Sequence, residues 1–77
     1  MTKRQFYEEI ENILEVPPGS LVGDETLKGF EQWDSLASLS FIAMADANLQ
    51  TMISGREVGS CRTVTDLLAL FPGKITE

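Results

Sequence analysis

Phe6, Ile10, Ile13 and Leu14 fall at i, i+4, i+7 and i+8 and trace one face of a helix. Glu8, Glu9, Glu11 and Glu15 fill other positions of the same stretch and read as a solvated face. Thr2-Lys3-Arg4-Gln5 has capping-box form, with Thr2 placed to accept from the Gln5 amide and Gln5 to reach back. Val16-Pro17-Pro18-Gly19 stops the helix, because proline cannot continue the ladder and disfavours a helical predecessor. The pattern predicts a first helix over about residues 3–15.

From Pro17 to about Trp33 the chain shows no periodicity. Connections this long are often functional, or are pinned by their own apolar residues. Leu21, Val22, Leu27, Phe30 and Trp33 are the candidates for pinning, and one helical turn near Asp24–Leu27 is compatible with the sequence. A second helix is expected from Asp34 or Ser35 to about Leu49. Leu39, Ile42, Ala45 and Leu49 give it an inward stripe with Phe41 beside it, while Leu36, Ala43 and Ala47 lie on another face toward solvent. Asp46 is its only charge.

Ser54-Gly55-Arg56-Glu57 is a further capping box, but Gly55 and Gly59 weaken the helix it opens, so one or two turns are expected at about 55–60. In the last segment Thr63 is a cap, Asp66 stands three residues on, and Val64, Leu67, Leu68 and Phe71 form an apolar face that Pro72-Gly73 ends. With no repeat and no strand alternation, the expected fold is all-α: three main helices plus one short helix, with a long loop between the first and second, in one domain over residues 1–77.

Composition narrows the chemistry. The chain has 77 residues, 43% apolar and 23% charged, which is a globular composition. A net charge of -6 disfavours nucleic acid and anionic membrane surfaces as partners and suits a partner with a basic patch. No apolar run reaches the roughly 18 residues of a spanning helix, and Met-Thr-Lys-Arg-Gln-Phe does not read as a secretory signal. One cysteine, Cys61, forms no internal disulfide and fits a reducing cytoplasm. Without histidine, a Ser-His-Asp triad, a Cys-His pair and the usual zinc sites are excluded, and no phosphate-binding glycine loop is present. No catalytic or metal-ligating set emerges, so an interaction or carrier module is expected rather than an enzyme. Trp33 reads as a loop anchor, Cys61 as a small buried hydrophobe, and Met44 and Met52 as core or near-core filler.

Trp33-Asp34-Ser35-Leu36 lies where the loop turns into the second helix. A serine there meets free backbone N–H groups and the positive end of the helix dipole, a favourable place for a phosphate ester. An ordinary capping role for Asp34 or Ser35 is the alternative. The chain resembles the acyl carrier protein family over nearly its whole length. The amphipathic first helix, the long loop, Asp34-Ser35-Leu36 opening the second helix and Thr63-Val64-x-Asp66-Leu67 opening the last carry the resemblance. It implies that Ser35 bears a 4′-phosphopantetheine arm, donated from coenzyme A by a phosphopantetheinyl transferase, with Asp34 supporting the modification.

The same resemblance implies an acyl group held as a thioester and presented to acyl-loading, acyl-transfer or condensing enzymes, by a monomer that catalyses nothing itself. The Trp33-Asp34-Ser35-Leu36 form is similar to free-standing carriers of specialised lipid, polyketide or acyl-transfer pathways. Two features depart from the family: Gln32 replaces the usual glycine, and the second helix lacks the usual acidic series. Residues 1–34 hold eight acids and three bases, and residues 35–77 hold four acids and three bases. This favours docking around Leu36 and Ala43, with Asp46 the one charge available. In carriers of this family an acyl chain commonly enters between the second helix and the region after it, here residues 50–62. Leu39, Ile42, Leu49, Ile53 and Leu68 are the lining residues expected on that basis. An aminoacyl or peptidyl carrier and an unmodified helical interaction module are the competing readings.

Overall fold

A computed structural model of the chain describes residues 1–76. It is all-α, as the periodicities predict: α1 spans Lys3–Leu14, α2 Ser35–Leu49, α3 Gly55–Gly59 and α4 Val64–Leu68, with a 3-10 turn at Leu27–Gly29. Among the described residues there is no strand, only isolated bridges pairing Thr2 with Thr76 and Thr26 with Thr63. Two helices are long and two are five residues each, so the last helix is shorter than its apolar spacing predicts. The cause is local. Pro72 disfavours α geometry at its predecessor, and the N–H groups of Leu70 and Phe71 turn to Leu67 and Leu68, three residues back. The chain tightens into turns before Pro72.

All three capping boxes form. Thr2, Ser54 and Thr63 accept from the N–H of Gln5, Glu57 and Asp66, whose side chains return to the cap backbone. Each cap satisfies donors that a helix start leaves free, typically worth about 1 kcal/mol. The caps matter most for α3 and α4, which are too short to be stable alone.

The core is built on three phenylalanine rings, one from α1, one from α2 and one from the turn after α4. Phe6 and Phe41 centroids are 5.9 Å apart, Phe6 and Phe71 5.8 Å, and Phe41 and Phe71 5.9 Å, with tilted or edge-on rings. All three are fully buried or nearly so. Aromatic pairs at such spacings add about 0.5–1.5 kcal/mol beyond area burial. Ile10, Leu14, Leu21, Leu27, Leu49, Val58, Val64 and Leu67 complete the interior.

Phe41 fixes the rotation of α2, and here the expected stripe is corrected. The buried residues are Ala37, Phe41, Met44, Ala45 and Leu49. Leu39, expected inside, is 63% exposed, and Ile42 is only partly buried. Apolar residues lie on every side of α2, so spacing alone did not choose the inner face; the largest side chain did. Met44 is buried as expected, but Met52 is 86% exposed.

The loop from Pro17 to Trp33 is stitched to the body by specific hydrogen bonds. The Glu11 carboxylate accepts from the N–H groups of Gly19 and Leu21 at 2.9 and 3.1 Å. Thr65 donates from its N–H and its hydroxyl to the Gly23 carbonyl, at 2.8 and 2.6 Å. Leu27 N–H donates to Arg62 and Val64 N–H to Glu25. Gly23 has φ +118, and a Cβ there would stand 2.6 Å from the Tyr7 hydroxyl oxygen, so only glycine fits. Leu21 and Leu27 pin the loop from within, Phe30 and Trp33 are partly buried, and Val22, also expected to pin, is 72% exposed. Glu11 corrects the reading of its acidic run as a solvated face, since it is 1% exposed.

Candidate functional site

The geometry at the start of α2 begins with Trp33. Its ring stands edge-on to Phe41 with centroids 6.3 Å apart, which seats the end of the loop on the core. Trp33 N–H donates to Phe30 and Asp34 N–H to Gln32, so the chain enters the helix through successive tight turns. Asp34 is the N-cap, in extended conformation at φ −127 and ψ −168. Its Oδ1 accepts the Ala37 N–H at 2.9 Å, and its carbonyl accepts the Ser38 N–H at 3.0 Å.

Ser35 is therefore the first residue of a 15-residue helix, and it is exposed. Of the four N–H groups a helix start leaves free, that of Asp34 donates to the Gln32 carbonyl and that of Ala37 to the Asp34 carboxylate. Those of Ser35 and Leu36 meet no protein acceptor among the described residues. They face solvent at the positive end of the helix dipole. Among the described residues the Ser35 hydroxyl makes no hydrogen bond to a base, so it is not an activated nucleophile of its own. It suits modification by another enzyme, and the two free N–H groups suit the negative charge of a phosphate ester.

Leu36, Ala43 and Asp46 are all exposed, as the expected docking positions require, and Leu36 is 71% exposed. Leu39 joins Leu36 and Ala43 at helical spacing, making a strip that the expected inward stripe had concealed. Taking Phe41 as the inward anchor exposes positions 36, 39, 40, 43 and 47 together; that was the signal available in the sequence.

The space expected between α2 and α3 is filled. Leu49, Ile53 and Val58 are buried in the core, and Ile42 and Leu68 pack against it. None of these residues lines the best-formed surface pockets of the described residues. One pocket, of about 470 Å³, instead opens between α1 and α2, lined by Gln32, Leu36, Ala37, Ser40 and Met44 on one side and by α1 on the other. A second, of about 550 Å³, lies beside Thr26, Lys28 and residues 59–62.

Cys61 is half-buried and donates its S–H to the Glu57 carbonyl at 3.4 Å. Burial pushes its pKa up, and the nearby Asp66 and Glu57 carboxylates push it the same way. It is held as a thiol, the unreactive form. Among the described residues no cluster of His, Cys, Asp and Glu has the makings of a metal site. Nor, among the described residues, is any helix long and apolar enough to cross a membrane. A comparison with protein-family models returns no match, and comparisons with curated proteins and with solved structures return none either.

Proposed function

We propose that the chain is an acyl carrier whose Ser35 hydroxyl takes a 4′-phosphopantetheine arm from coenzyme A. The observation that carries this reading is the exposed Ser35 at the first position of α2, capped by Asp34, with the Ser35 and Leu36 N–H groups free beside it. These residues fit the group: the N–H pair accommodates the phosphodiester charge, an interaction worth about 0.3–1 kcal/mol at an exposed helix start. When bound, the arm supplies a terminal thiol that carries an acyl group as a thioester. The protein's own residues perform no bond chemistry. Asp34 sets the start of the helix, and Trp33 fixes that start to the core.

Tethering replaces diffusion of a free intermediate with an effective concentration that reaches about millimolar for a short flexible link. The partners are a phosphopantetheinyl transferase and acyl-loading, acyl-transfer or condensing enzymes of a specialised lipid, polyketide or acyl-transfer pathway. They approach along the outer face of α2 at Leu36, Ala43 and Asp46, and the carrier works as a cytoplasmic monomer. Intact mass after incubation with coenzyme A and a broad-specificity transferase tests the reading. The wild-type chain should gain one phosphopantetheine and Ser35→Ala none. A wild type that stays unmodified would leave the unmodified interaction module as the better reading.

A further inference from the structure

The long loop is fastened in two unequal halves. Residues 23–27 are held around the start of α4 at several points. The Gly23 carbonyl accepts the N–H and the hydroxyl of Thr65, the Glu25 carbonyl accepts the Val64 N–H, and the Leu27 N–H donates to Arg62. Residues 17–22 are held differently, and of these Leu21 alone is buried. Their hydrogen bonds to a helix, from the N–H groups of Gly19 and Leu21, both end on a single atom, Oε2 of Glu11. The others stay inside the loop: Ser20 bonds back to the Pro17 carbonyl, and the Val22 N–H donates to Glu25. The Arg4 guanidinium lies beside Gly19.

The fastening atom belongs to a carboxylate that is 1% exposed, and its other oxygen, Oε1, is buried with no partner among the described residues. Closing residues 17–22 over Glu11 therefore keeps water from a group that is only half satisfied. That cost opposes the two hydrogen bonds and the burial of Leu21. Lifting these residues returns water to both carboxylate oxygens and to two amides, exposes one large apolar side chain, and requires no helix to unfold. Residues 23–27 have no comparable release, and Gly23 is boxed in by the Tyr7 and Thr65 side chains. We propose that residues 17–22 form a strap that opens on its own, with Gly23 as its fixed end. Opening bares the Glu11 carboxylate and the Leu21 side chain together, while the helices and residues 23–27 stay in place.

The test is native-state hydrogen exchange on the full chain, read amide by amide and corrected for intrinsic rates, in a series of urea concentrations below the unfolding transition. The Gly19 and Leu21 amides should exchange at least about tenfold faster than those of Leu27, Val64 and Thr65. Their rates should also stay nearly flat across urea concentrations that speed the other three, because a small opening exposes little surface. Thr65→Val removes one bond of the other half. It should speed exchange at Leu27, Val64 and Thr65 and leave Gly19 and Leu21 at their wild-type rates, since the strap opens without that bond breaking. Exchange at Gly19 and Leu21 that is as slow as at the other three, with the same urea dependence, would overturn the proposal. So would an equal effect of Thr65→Val on both sets. If that variant does not fold, the wild-type urea series decides alone.

Discussion

Oε2 of Glu11 accepts the N–H of Leu21 at 3.1 Å, from a carboxylate that is 1% exposed, and so ties the middle of α1 to the long loop ten residues on. The same oxygen accepts from Gly19, whereas Oε1 is buried with no partner among the described residues. A charge held inside by two loop donors stabilises the loop only while it is there to accept.

Glu11→Ala should therefore lower stability by about 3 kcal/mol, since hydrogen bonds to a charged group are worth about 1.5–3 kcal/mol each and both donors would lose their acceptor. Glu11→Gln should cost less, because one oxygen remains to accept. Urea unfolding gives both values. Amide exchange should also show that Gly19 and Leu21 lose protection in the Ala variant, and an unchanged exchange rate there would show that the loop is held some other way.

Glu11 also shows which parts of the fold were legible in the sequence. α1 was read to within a residue at its C-terminal end, because its apolar face is one-sided and its cap is explicit. Glu11 was hidden inside a run of glutamates, although Tyr7, Glu11 and Leu14 follow helical spacing along the edge of that face, and all three are buried. The ends of α2 were legible from Asp34 and the apolar run, but its rotation was legible only by giving Phe41 the interior, since Leu36, Leu39 and Ile42 compete with Phe41 and Met44 for it. The loop had no periodicity to read, only candidate pinning residues, of which Leu21 and Leu27 are buried. Its order comes from partners far along the chain, such as Gly23 with Thr65 and Thr26 with Thr63. Ser35 was legible because its position depends on a cap and a helix start, both of which are local.

Acid should loosen the junction between the loop and α4. The Asp66 carboxyl lies below its ordinary value near 3.8 because the N–H groups of Arg62 and Thr63 donate to it. At Glu25 burial pushes upward, but hydrogen bonds from Val22 and Gly23 outweigh it, and its pKa lies below the ordinary 4.5. Both folded-state values are depressed, so the stability they contribute is fully present above the ordinary values. It is lost as pH falls past them and through the lower folded values, because the unfolded chain takes up protons first. Thermal unfolding from pH 7 down to about 3 should show a decline that Asp66→Asn and Glu25→Gln each make shallower. A decline of unchanged steepness in both variants would place the acid sensitivity elsewhere.

Asp34 should matter more to modification than to folding. Its Oδ1 caps α2 through Ala37 N–H, and asparagine retains that oxygen, so Asp34→Asn should change stability by under about 1 kcal/mol. Asp34→Ala removes the cap and should cost about 1 kcal/mol. On the carrier reading, the Asn variant should accept phosphopantetheine more slowly than wild type, as followed by intact mass over time. A wild-type rate would show that the charge plays no part.

α3 should open more readily than α1. It has five residues, two of them glycine, and Val58 is its one buried side chain, whereas α1 buries five residues along 12. Local opening free energy follows buried contact and backbone protection. Native-state hydrogen exchange should therefore be faster at residues 58–60 than at residues 7–14. Equal protection would make α3 part of the same cooperative unit as α1.

On the carrier reading, partner binding should depend on apolar contact more than on charge. The outer face of α2 presents Leu36, Leu39 and Ala43, with Asp46 its one charged residue, and the two leucines are 71% and 63% exposed. Covering a leucine stabilises a complex in proportion to the apolar area removed from water, so Leu36→Ala should weaken partner binding by about 1–2 kcal/mol. A single exposed charge is worth under about 1 kcal/mol and is screened beyond about 8–10 Å near physiological salt. Asp46→Asn should therefore cost less than Leu36→Ala, and the Leu36→Ala loss should persist as salt rises. Titrating both variants against a partner enzyme from the same pathway at low and moderate salt decides the matter. A larger, salt-sensitive loss at Asp46 would mean that the partner reads charge on this helix, and that the exposed leucines serve some other contact.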